Sequence, residues 1–169
     1  MTDVRVAEGL KAAMRRMPGP VALVTTADPV DGAYAGLAAS AVIPVSMEPP
    51  SMLVAINRGA SAHTTLARAG RFCINLLCTG QTDLVRLFSN SARREERFAG
   101  DGWRDRDGLP WLPAACASIF CTVETTQHFG THELFVGAVG DVVTGHGTEP
   151  MGWIEGDFAR MLGLQTQFV

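Results

Sequence analysis

A nearly uncharged run of small residues, at positions 36–50, carries the strongest chemical signal in this sequence. It reads GLAASAVIPVSMEPP. Small side chains allow a ligand to lie directly against the backbone, and backbone N–H groups and Ser hydroxyls then remain to hold it. The run therefore predicts a cradle for a flat molecule with a polar edge, rather than a set of catalytic side chains.

A second segment, residues 57–63, follows an apolar run and opens a short helical pattern. Free N–H groups and the dipole at a helix N-terminus favour a phosphate. Ser61 could add a hydroxyl and Arg58 a positive charge. An ordinary N-cap at Ser61 beside a solvent-facing Arg58 explains the same residues, so the segment alone leaves both interpretations open.

A third candidate, Gly130-Thr131-His132-Glu133, lies between two long strand candidates. His128 and His132 would face one metal ion only on a helix, and Gly130 with its β-rich surroundings argues against a helix there. His132 alone could contact a ligand, or it could be a surface turn residue.

Several other chemistries find no support in the sequence. It contains no G-x-G-x-x-G motif, no P-loop and no G-x-S-x-G nucleophile motif. Asp101, Asp105 and Asp107 resemble part of a calcium loop, but Trp103 and Ala114 stand where that loop requires acids. No metal site is expected.

The four cysteines are Cys73, Cys78, Cys116 and Cys121, all in apolar surroundings. Two C-x4-C spacings could indicate zinc, but the usual knuckle is C-x2-C, so buried thiols are the expectation. The sequence shows no signal peptide and no apolar run approaching the ~20 residues that span a membrane. Reduced thiols and a cytoplasmic location are therefore expected.

The composition predicts one domain over residues 1–169. The net charge of −3 gives no general attraction for nucleic acid. Hydrophobic residues make up 47% and charged residues 18%. That balance predicts a large core together with an apolar surface that a second copy of the chain covers.

The elements that must position these residues follow from periodicity. An amphipathic helix is indicated by Val6, Leu10, Ala13, Met14 and Met17, and Pro18-Gly19-Pro20 ends it. Strands are expected over 21–26, 33–37, 52–57, 72–77, 117–128, 133–143 and from 151, helices over 62–69 and 83–88, and a short polar helix or turn over 93–98. The segment 100–113 is expected to be irregular. Many strands with few crossover helices predict a mainly β fold with short helices, an antiparallel barrel rather than a parallel sheet.

Taken in order, these segments resemble the flavin reductase family that supplies reduced flavin to two-component monooxygenases such as 4-hydroxyphenylacetate hydroxylase. Residues 14–26 resemble its opening helix and strand, and residues 36–50 its flavin cradle. Residues 57–63 match Asn-Arg-Ser-Ala-Ser-Ala-His, residues 71–77 match Arg-Phe-x-Val-Asn-Val-Leu, and residues 130–137 match Gly-Asp-His-x-Ile/Leu-Phe-x-Gly. Each motif is weak alone, and their order and spacing make the match specific.

The chain departs from the family pattern at several positions. Leu37 and Ala38 stand where Met and Thr are common, so a hydroxyl that could contact the flavin is missing. Pro44 replaces the first Ser of Ser-Val-Ser, Thr131 the frequent Asp, and Gly59 the first Ser of the phosphate loop.

The resemblance implies a split β-barrel of Greek-key type that binds FMN, or FAD, at a homodimer interface. It also implies that NADH or NADPH docks without a Rossmann domain and that reduced flavin goes to a partner oxygenase. A fold relative that reduces a corrinoid or ferric complex, and a flavin-binding protein without turnover, are the alternatives.

The resemblance also implies roles for individual residues. His132 would lie near the nicotinamide and is the candidate catalytic residue. The cofactor-binding candidates are Gly36, Leu37, Ala38, Ala39, Ser40, Ala41, Val45, Ser46, Ala55, Ile56, Asn57, Arg58, Gly59, Ala60, Ser61, Phe72, Cys73, Asn75 and His132.

Overall fold

The computed structural model describes residues 3–163, which form three α-helices, two 3-10 helices and twelve strands. The first half comprises α1 Val4–Arg15, β1 Gly19–Pro20, β2 Ala22–Ala27, β3 Tyr34–Ala39, β4 Val42–Met47, β5 Pro50–Asn57, α2 His63–Ala69 and β6 Arg71–Leu76. After the 3-10 turn Thr79–Gln81 come α3 Thr82–Ser89, the 3-10 helix Ser91–Glu96, β7 Arg104–Arg106, β8 Leu109–Trp111, β9 Ala117–Phe129, β10 His132–Thr144, β11 Met151–Ile154 and β12 Asp157–Arg160.

Seven strands form one antiparallel sheet in the order β3-β2-β6-β9-β10-β5-β4. Its two end strands, β3 and β4, are separated in the chain only by Ser40 and Ala41. The sheet must therefore curl until its ends nearly meet, and within residues 3–163 these ends do not pair with each other. The predicted mainly β, antiparallel fold is confirmed, and the open curl is that of a split barrel.

The interior of the curled sheet is packed with apolar side chains. Every residue of β2 is buried, and Val54, Phe72 and Phe135 from three other strands are fully enclosed. Packing explains the glycine at position 137 on β10, because a Cβ atom there would lie 2.8 Å from both Phe72 and Cys121. This core fixes the strand ends that form the site.

Asn75 on β6 is fully buried, and its amide is satisfied inside the protein. Its Nδ2 donates to the Leu23 carbonyl at 3.1 Å and the Thr25 hydroxyl at 3.1 Å. Its Oδ1 accepts from Leu112 N–H at 2.8 Å and the Ser118 hydroxyl at 3.0 Å. This network holds the chain after β8 against the main sheet.

The structure differs from the sequence expectations at several points. The two-residue strand β1 and the end strand β4 lie where no strand was expected. The segment 100–113 contains the β7–β8 hairpin, which Gly108 permits by adopting a φ of 83°. Strand β12 was not expected. Helix α1 ends at Arg15, short of Met17. Helix α2 begins at His63, with Ala62 at the N-cap and no side-chain cap, so Ser61 is not the N-cap.

Helix α1 is amphipathic as expected, but it buries none of its residues against its own chain. Val6, Leu10 and Met14 are more than half exposed. Within residues 3–163, no helix has the length and apolarity needed to cross a bilayer.

Candidate functional site

The main cavity, about 650 Å³, opens where the corner between β3 and β4 faces the end of β5. Eleven of the candidates line it, namely Leu37, Ala38, Ala39, Ser40, Ala41, Ala55, Asn57, Gly59, Ala60, Ser61 and His132. The opposite wall consists of Phe88 and Ser89 from α3, followed by Ser91, Arg94 and Arg97. Four parts of the chain that are distant in sequence, residues 37–41, 55–61 and 88–97 and His132, thus converge on one cavity.

The corner between β3 and β4 supplies the small-residue wall. Strand β3 pairs with β2 on one side only, so its outer edge has no strand partner within the described residues. Unpaired edge N–H groups are donors available to a ligand. The wall therefore combines close backbone approach with hydrogen-bond donors.

Gly36, at the start of this wall, is small for a different reason than we predicted. A Cβ atom there would lie 2.9 Å from a ring carbon of Phe88, 3.2 Å from Phe98 and 3.1 Å from the Val24 carbonyl. Those contacts explain the glycine by packing between β3 and the aromatic side chains. Gly36 does not line the main cavity, although its carbonyl holds Arg97 at the cavity edge.

The loop 57–61 is held by the Asn57 side chain and by the residue that precedes β10. Asn57 Oδ1 accepts from Gly59 N–H at 2.8 Å, and Arg58 N–H donates to the Thr131 carbonyl at 2.9 Å. Asn57 and His132 are register partners across β5 and β10. The loop is thereby placed beside His132 at the cavity.

Arg97 is a functional candidate that the sequence reasoning missed. It is only 6% exposed, and Nη1 donates to the Gly36 carbonyl at 2.8 Å and to Ser61 Oγ at 3.4 Å. Nη2 donates to the Asn90 carbonyl at 3.1 Å, and the guanidinium carbon lies 5.5 Å from the centre of the Phe88 ring. These contacts connect the small-residue wall, the loop 57–61 and the end of α3.

The charge of Arg97 is not balanced within the described part of the chain. No carboxylate forms an ion pair with it there, and its buried Nε has no acceptor. Burial, together with the charge of Arg94, lowers the pKa of Arg97. An uncompensated buried cation is costly, so a phosphate-bearing cofactor fits this cavity electrostatically.

His132 lies exposed at the cavity margin, and Thr131 orients it. The Thr131 hydroxyl lies 2.9 Å from His132 Nδ1. Thr131 is the residue that departs from the family's Asp, and its hydroxyl contacts the imidazole ring directly. A ring fixed through Nδ1 leaves Nε2 free to face a ligand.

Glu133, the next residue, faces the other side of the strand and is buried. Its carboxylate lies 2.6 Å from His63 Nε2 and 2.9 Å from His128 Nε2. Burial alone would raise the pKa of this carboxyl, but hydrogen bonds with His63, Thr126 and His128 lower it below its ordinary value. Glu133 therefore anchors the start of α2 to β9 and β10.

Seven further candidates lie outside the main cavity. Phe72, Cys73 and Ile56 are core residues. The side chain of Asn75 is buried and is already hydrogen-bonded to protein groups in the network described above. These four are corrections to the expected cofactor contacts, because the strand faces they occupy point into the core. Val45 lies exposed on β4, Ser46 Oγ accepts from Glu48 N–H at 2.9 Å, and Arg58 is exposed.

Within residues 3–163, no three His, Cys, Asp or Glu side chains are grouped to hold a metal ion. The four cysteines are free thiols. The closest sulfur pair joins Cys78 to Cys116, so neither C-x4-C spacing forms a unit in space.

Comparisons with known proteins agree with this geometry. The flavin reductase like domain model matches residues 14–161. An FMN reductase (NADH), RutF, of Methylorubrum populi is 40% identical over 134 residues, which cover 79% of this chain and 65% of that protein. The reductase component of an FADH2-dependent resorcinol hydroxylase of Rhizobium sp. is 35% identical over 147 residues, which cover 86% of this chain and 82% of that protein.

Among solved structures, the styrene monooxygenase flavin reductase of Pseudomonas putida S12 aligns with a TM-score of 0.82 at 25% identity. The alignment covers 92% of this chain and 99% of that one. The fold and the cavity define a flavin reductase-like protein. The chain belongs to the flavin reductase like domain family, which confirms the resemblance read from the motifs.

Proposed function

We propose that this chain is an NAD(P)H-dependent flavin reductase, which reduces FMN or FAD and supplies the reduced flavin to a separate oxygenase. The observation that carries the proposal is the cavity in which the small-residue wall faces the buried, unbalanced charge of Arg97. A flavin nucleotide combines a flat ring with a phosphate. The names of the two relatives support both the NADH-dependent activity and the oxygenase partner.

The wall formed by residues 37–41 would hold the ring of the flavin. Its edge N–H groups and the Ser40 hydroxyl are the donors there. When bound, the flavin supplies a hydride acceptor, and donors at its polar edge stabilise the negative charge that develops. The protein itself needs no nucleophile for this reaction.

The phosphate would be held by the loop 57–61 and by Arg94 and Arg97 on the opposite wall of the cavity. Among the described residues, Ser61 Oγ accepts only the long bond from Arg97, and with α2 starting at His63 it is free of a capping role. Arg97 and Arg94 bring positive charge to the same cavity. Arg58, which we expected to supply that charge, lies outside the cavity.

His132 would meet the nicotinamide at the open margin of the cavity. Its ring is oriented by Thr131, and its Nε2 could donate to the carboxamide. The carboxamide is a hydrogen-bonding group that a fixed imidazole can position.

A homodimer forms part of the proposal. Within residues 3–163, helix α1 presents an apolar face that stays exposed, and Ile43, Val45 and Met47 project from the end strand β4. Exposed apolar area of this kind is typical of an interface between subunits. Residues 1–169 are proposed to fold as one domain, and the free thiols support a reducing, cytoplasmic location.

The proposal is tested by following NADH oxidation with and without added flavin. A flavin reductase oxidises NADH at a rate that rises with free FMN or FAD and saturates. Oxidation only with a corrinoid or ferric complex would support the first alternative. A bound chromophore without any oxidation would support a flavin-binding protein, and both of these results would overturn the proposal.

A further inference from the structure

Cys78 and Cys116 bring their sulfur atoms together, although 38 positions separate them in sequence. Their Sγ atoms lie 2.7 Å apart, and both are free thiols. A disulfide bond is about 2.05 Å long, so an approach of roughly 0.7 Å would reach bonding distance. Nothing in the proposed flavin chemistry uses these two thiols.

The backbone around the two thiols is already held in place. Cys78 follows β6 and Cys116 precedes β9, which are hydrogen-bonded neighbours, with Leu76 paired to Ala117. Cys116 N–H also donates to the Leu76 carbonyl at 2.8 Å. Because the ladder fixes both chain ends, a bond between the sulfurs requires no movement of the strands.

The loop 145–150 covers the pair. Gly147 packs so closely that a Cβ atom there would lie 1.9 Å from Cys78 Sγ. Thr79 N–H donates to the Glu149 carbonyl at 3.0 Å, which closes the loop over Cys78. Cys78 is buried, whereas Cys116 is partly exposed. A small oxidant can therefore reach Cys116 first.

We propose that Cys78 and Cys116 form a reversible intramolecular disulfide when the protein meets hydrogen peroxide. The Cys116 thiolate attacks one peroxide oxygen, the O–O bond breaks, and hydroxide leaves, which gives a sulfenic acid. The Cys78 sulfur then attacks the Cys116 sulfur, the S–O bond breaks, and water leaves. In sum, two thiols lose two hydrogens, and one peroxide becomes two waters.

The order of these steps follows from the surroundings of each thiol. Burial, with the neighbouring Cys116, raises the pKa of Cys78 to about 12. The thiolate is the attacking form of cysteine, so Cys78 does not compete with Cys116 for free peroxide. In the second step the hydroxide released by the first can take the Cys78 proton, and the Cys78 sulfur already lies 2.7 Å from Cys116 Sγ.

The natural source of peroxide rests on the proposed function. Reduced flavin that leaves a reductase and meets oxygen before an oxygenase yields hydrogen peroxide. If the reductase itself carries a dithiol that oxidises reversibly, the oxidation of that dithiol reports how much reduced flavin is lost to oxygen. The site is therefore a modification site that responds to uncoupled turnover.

The experiment adds hydrogen peroxide to the folded protein without flavin or NADH, so that its outcome does not depend on flavin reduction. Cys73 and Cys78 share one arginine-bounded segment, residues 72–86, and Cys116 and Cys121 share another. A variant with Cys73→Ala and Cys121→Ala therefore leaves only the proposed pair. We expect peroxide to lower the mass of this variant by two hydrogens and dithiothreitol to restore it. A further Cys116→Ser change should abolish the mass decrease.

A second measurement uses the unaltered chain, in case the alanine variant does not fold. After peroxide treatment and alkylation under denaturing conditions, fragmentation of the cross-linked tryptic peptide should join Cys78 to Cys116 and leave Cys73 and Cys121 alkylated. The oxidised form should also unfold at a higher temperature than the reduced form. Full alkylation of Cys78 and Cys116, a different pairing, or oxidation of Cys116 to sulfinic acid without a cross-link would overturn the proposal.

Discussion

Arg97 combines burial, positive charge and incomplete hydrogen bonding in one side chain. Leaving a buried charge unpaired lowers the free energy of unfolding, so stability alone does not explain the residue. The four residues before it, 93–96, are charged and exposed. The segment therefore predicts a solvated helix, and only the packing of α3 against β3 shows that this arginine turns inward.

Replacing Arg97 with Met should weaken FMN binding about 10- to 100-fold, because a hydrogen bond to a charged group contributes roughly 1.5–3 kcal/mol. Riboflavin has no phosphate, so its affinity should change much less. Flavin fluorescence titration measures both dissociation constants. Arg58→Met is the matched control and should leave both nearly unchanged. An equal loss for FMN and riboflavin would show that Arg97 acts only by packing.

Replacing His132 with Ala should lower kcat/KM for NADH roughly tenfold, the equivalent of one lost hydrogen bond. The dissociation constant for FMN should stay within about twofold, because the small-residue wall and the loop 57–61 are untouched. Steady-state kinetics and flavin titration separate the two effects. His128→Ala serves as a control for a nearby exposed imidazole. Equal losses in FMN affinity and NADH turnover would contradict the assignment.

The cavity-lining residues that could be predicted from sequence are those that would contact a ligand through their backbone. Small side chains at 37–41 and the loop 57–61 line the cavity, because a loop or corner exposes its backbone whatever the surroundings. Phe72 and Asn75 were wrong for the opposite reason. Both lie on β6, where residues 72–75 are buried on both faces of the strand, and a motif match does not show that both faces are covered.

Helix α2 packs Leu66 into the core, and its first residue is also joined to the sheet by the buried carboxylate of Glu133. The contacts with His63 and His128 join α2, β9 and β10. Ser61 was an attractive N-cap by residue type, yet the chain makes an extra turn before α2 begins, with Ala62 in the helical region. Element boundaries of this kind depend on tertiary contacts that no local pattern contains.

Replacing Glu133 with Gln should lower the free energy of unfolding by about 1–3 kcal/mol at pH 7. The folded-state pKa of Glu133 is lowered, so its stabilising contribution is complete above the unfolded-state value of about 4.3. That contribution disappears as the pH falls through the folded-state pKa. Denaturant unfolding from pH 7 to pH 3 should therefore show the difference between the two proteins shrinking at the acid end.

Glu124→Gln, on the same strand pair but exposed, is the matched control for Glu133. It should change stability by less than about 0.5 kcal/mol at every pH. A Glu133→Gln protein as stable as the unaltered chain at pH 7 would show that the carboxylate is not what holds α2 in place.

Among the described residues, exposed apolar side chains group on the face of α1 and on the outer side of β4, while others, such as Val30 and Phe129, are exposed elsewhere. The hydrophobic excess in the composition predicted such a surface but not its position. The position follows from topology, because α1 precedes the sheet without packing into it and β4 is an end strand. An exposed end strand with apolar side chains is a site for association.

Replacing both Leu10 and Met14 with Glu should disrupt self-association, because it places charge in the exposed apolar face of α1. Sedimentation velocity over a concentration series measures the change, with the unaltered chain expected to be a dimer at micromolar concentration. Val30→Glu is the control, since Val30 is 83% exposed in the turn between β2 and β3 and belongs to neither region. No residue of helix α1 is buried among the described residues, so the double variant should keep its strands. Circular dichroism checks this. A monomeric unaltered chain, or a double variant that still dimerises, would place the interface elsewhere.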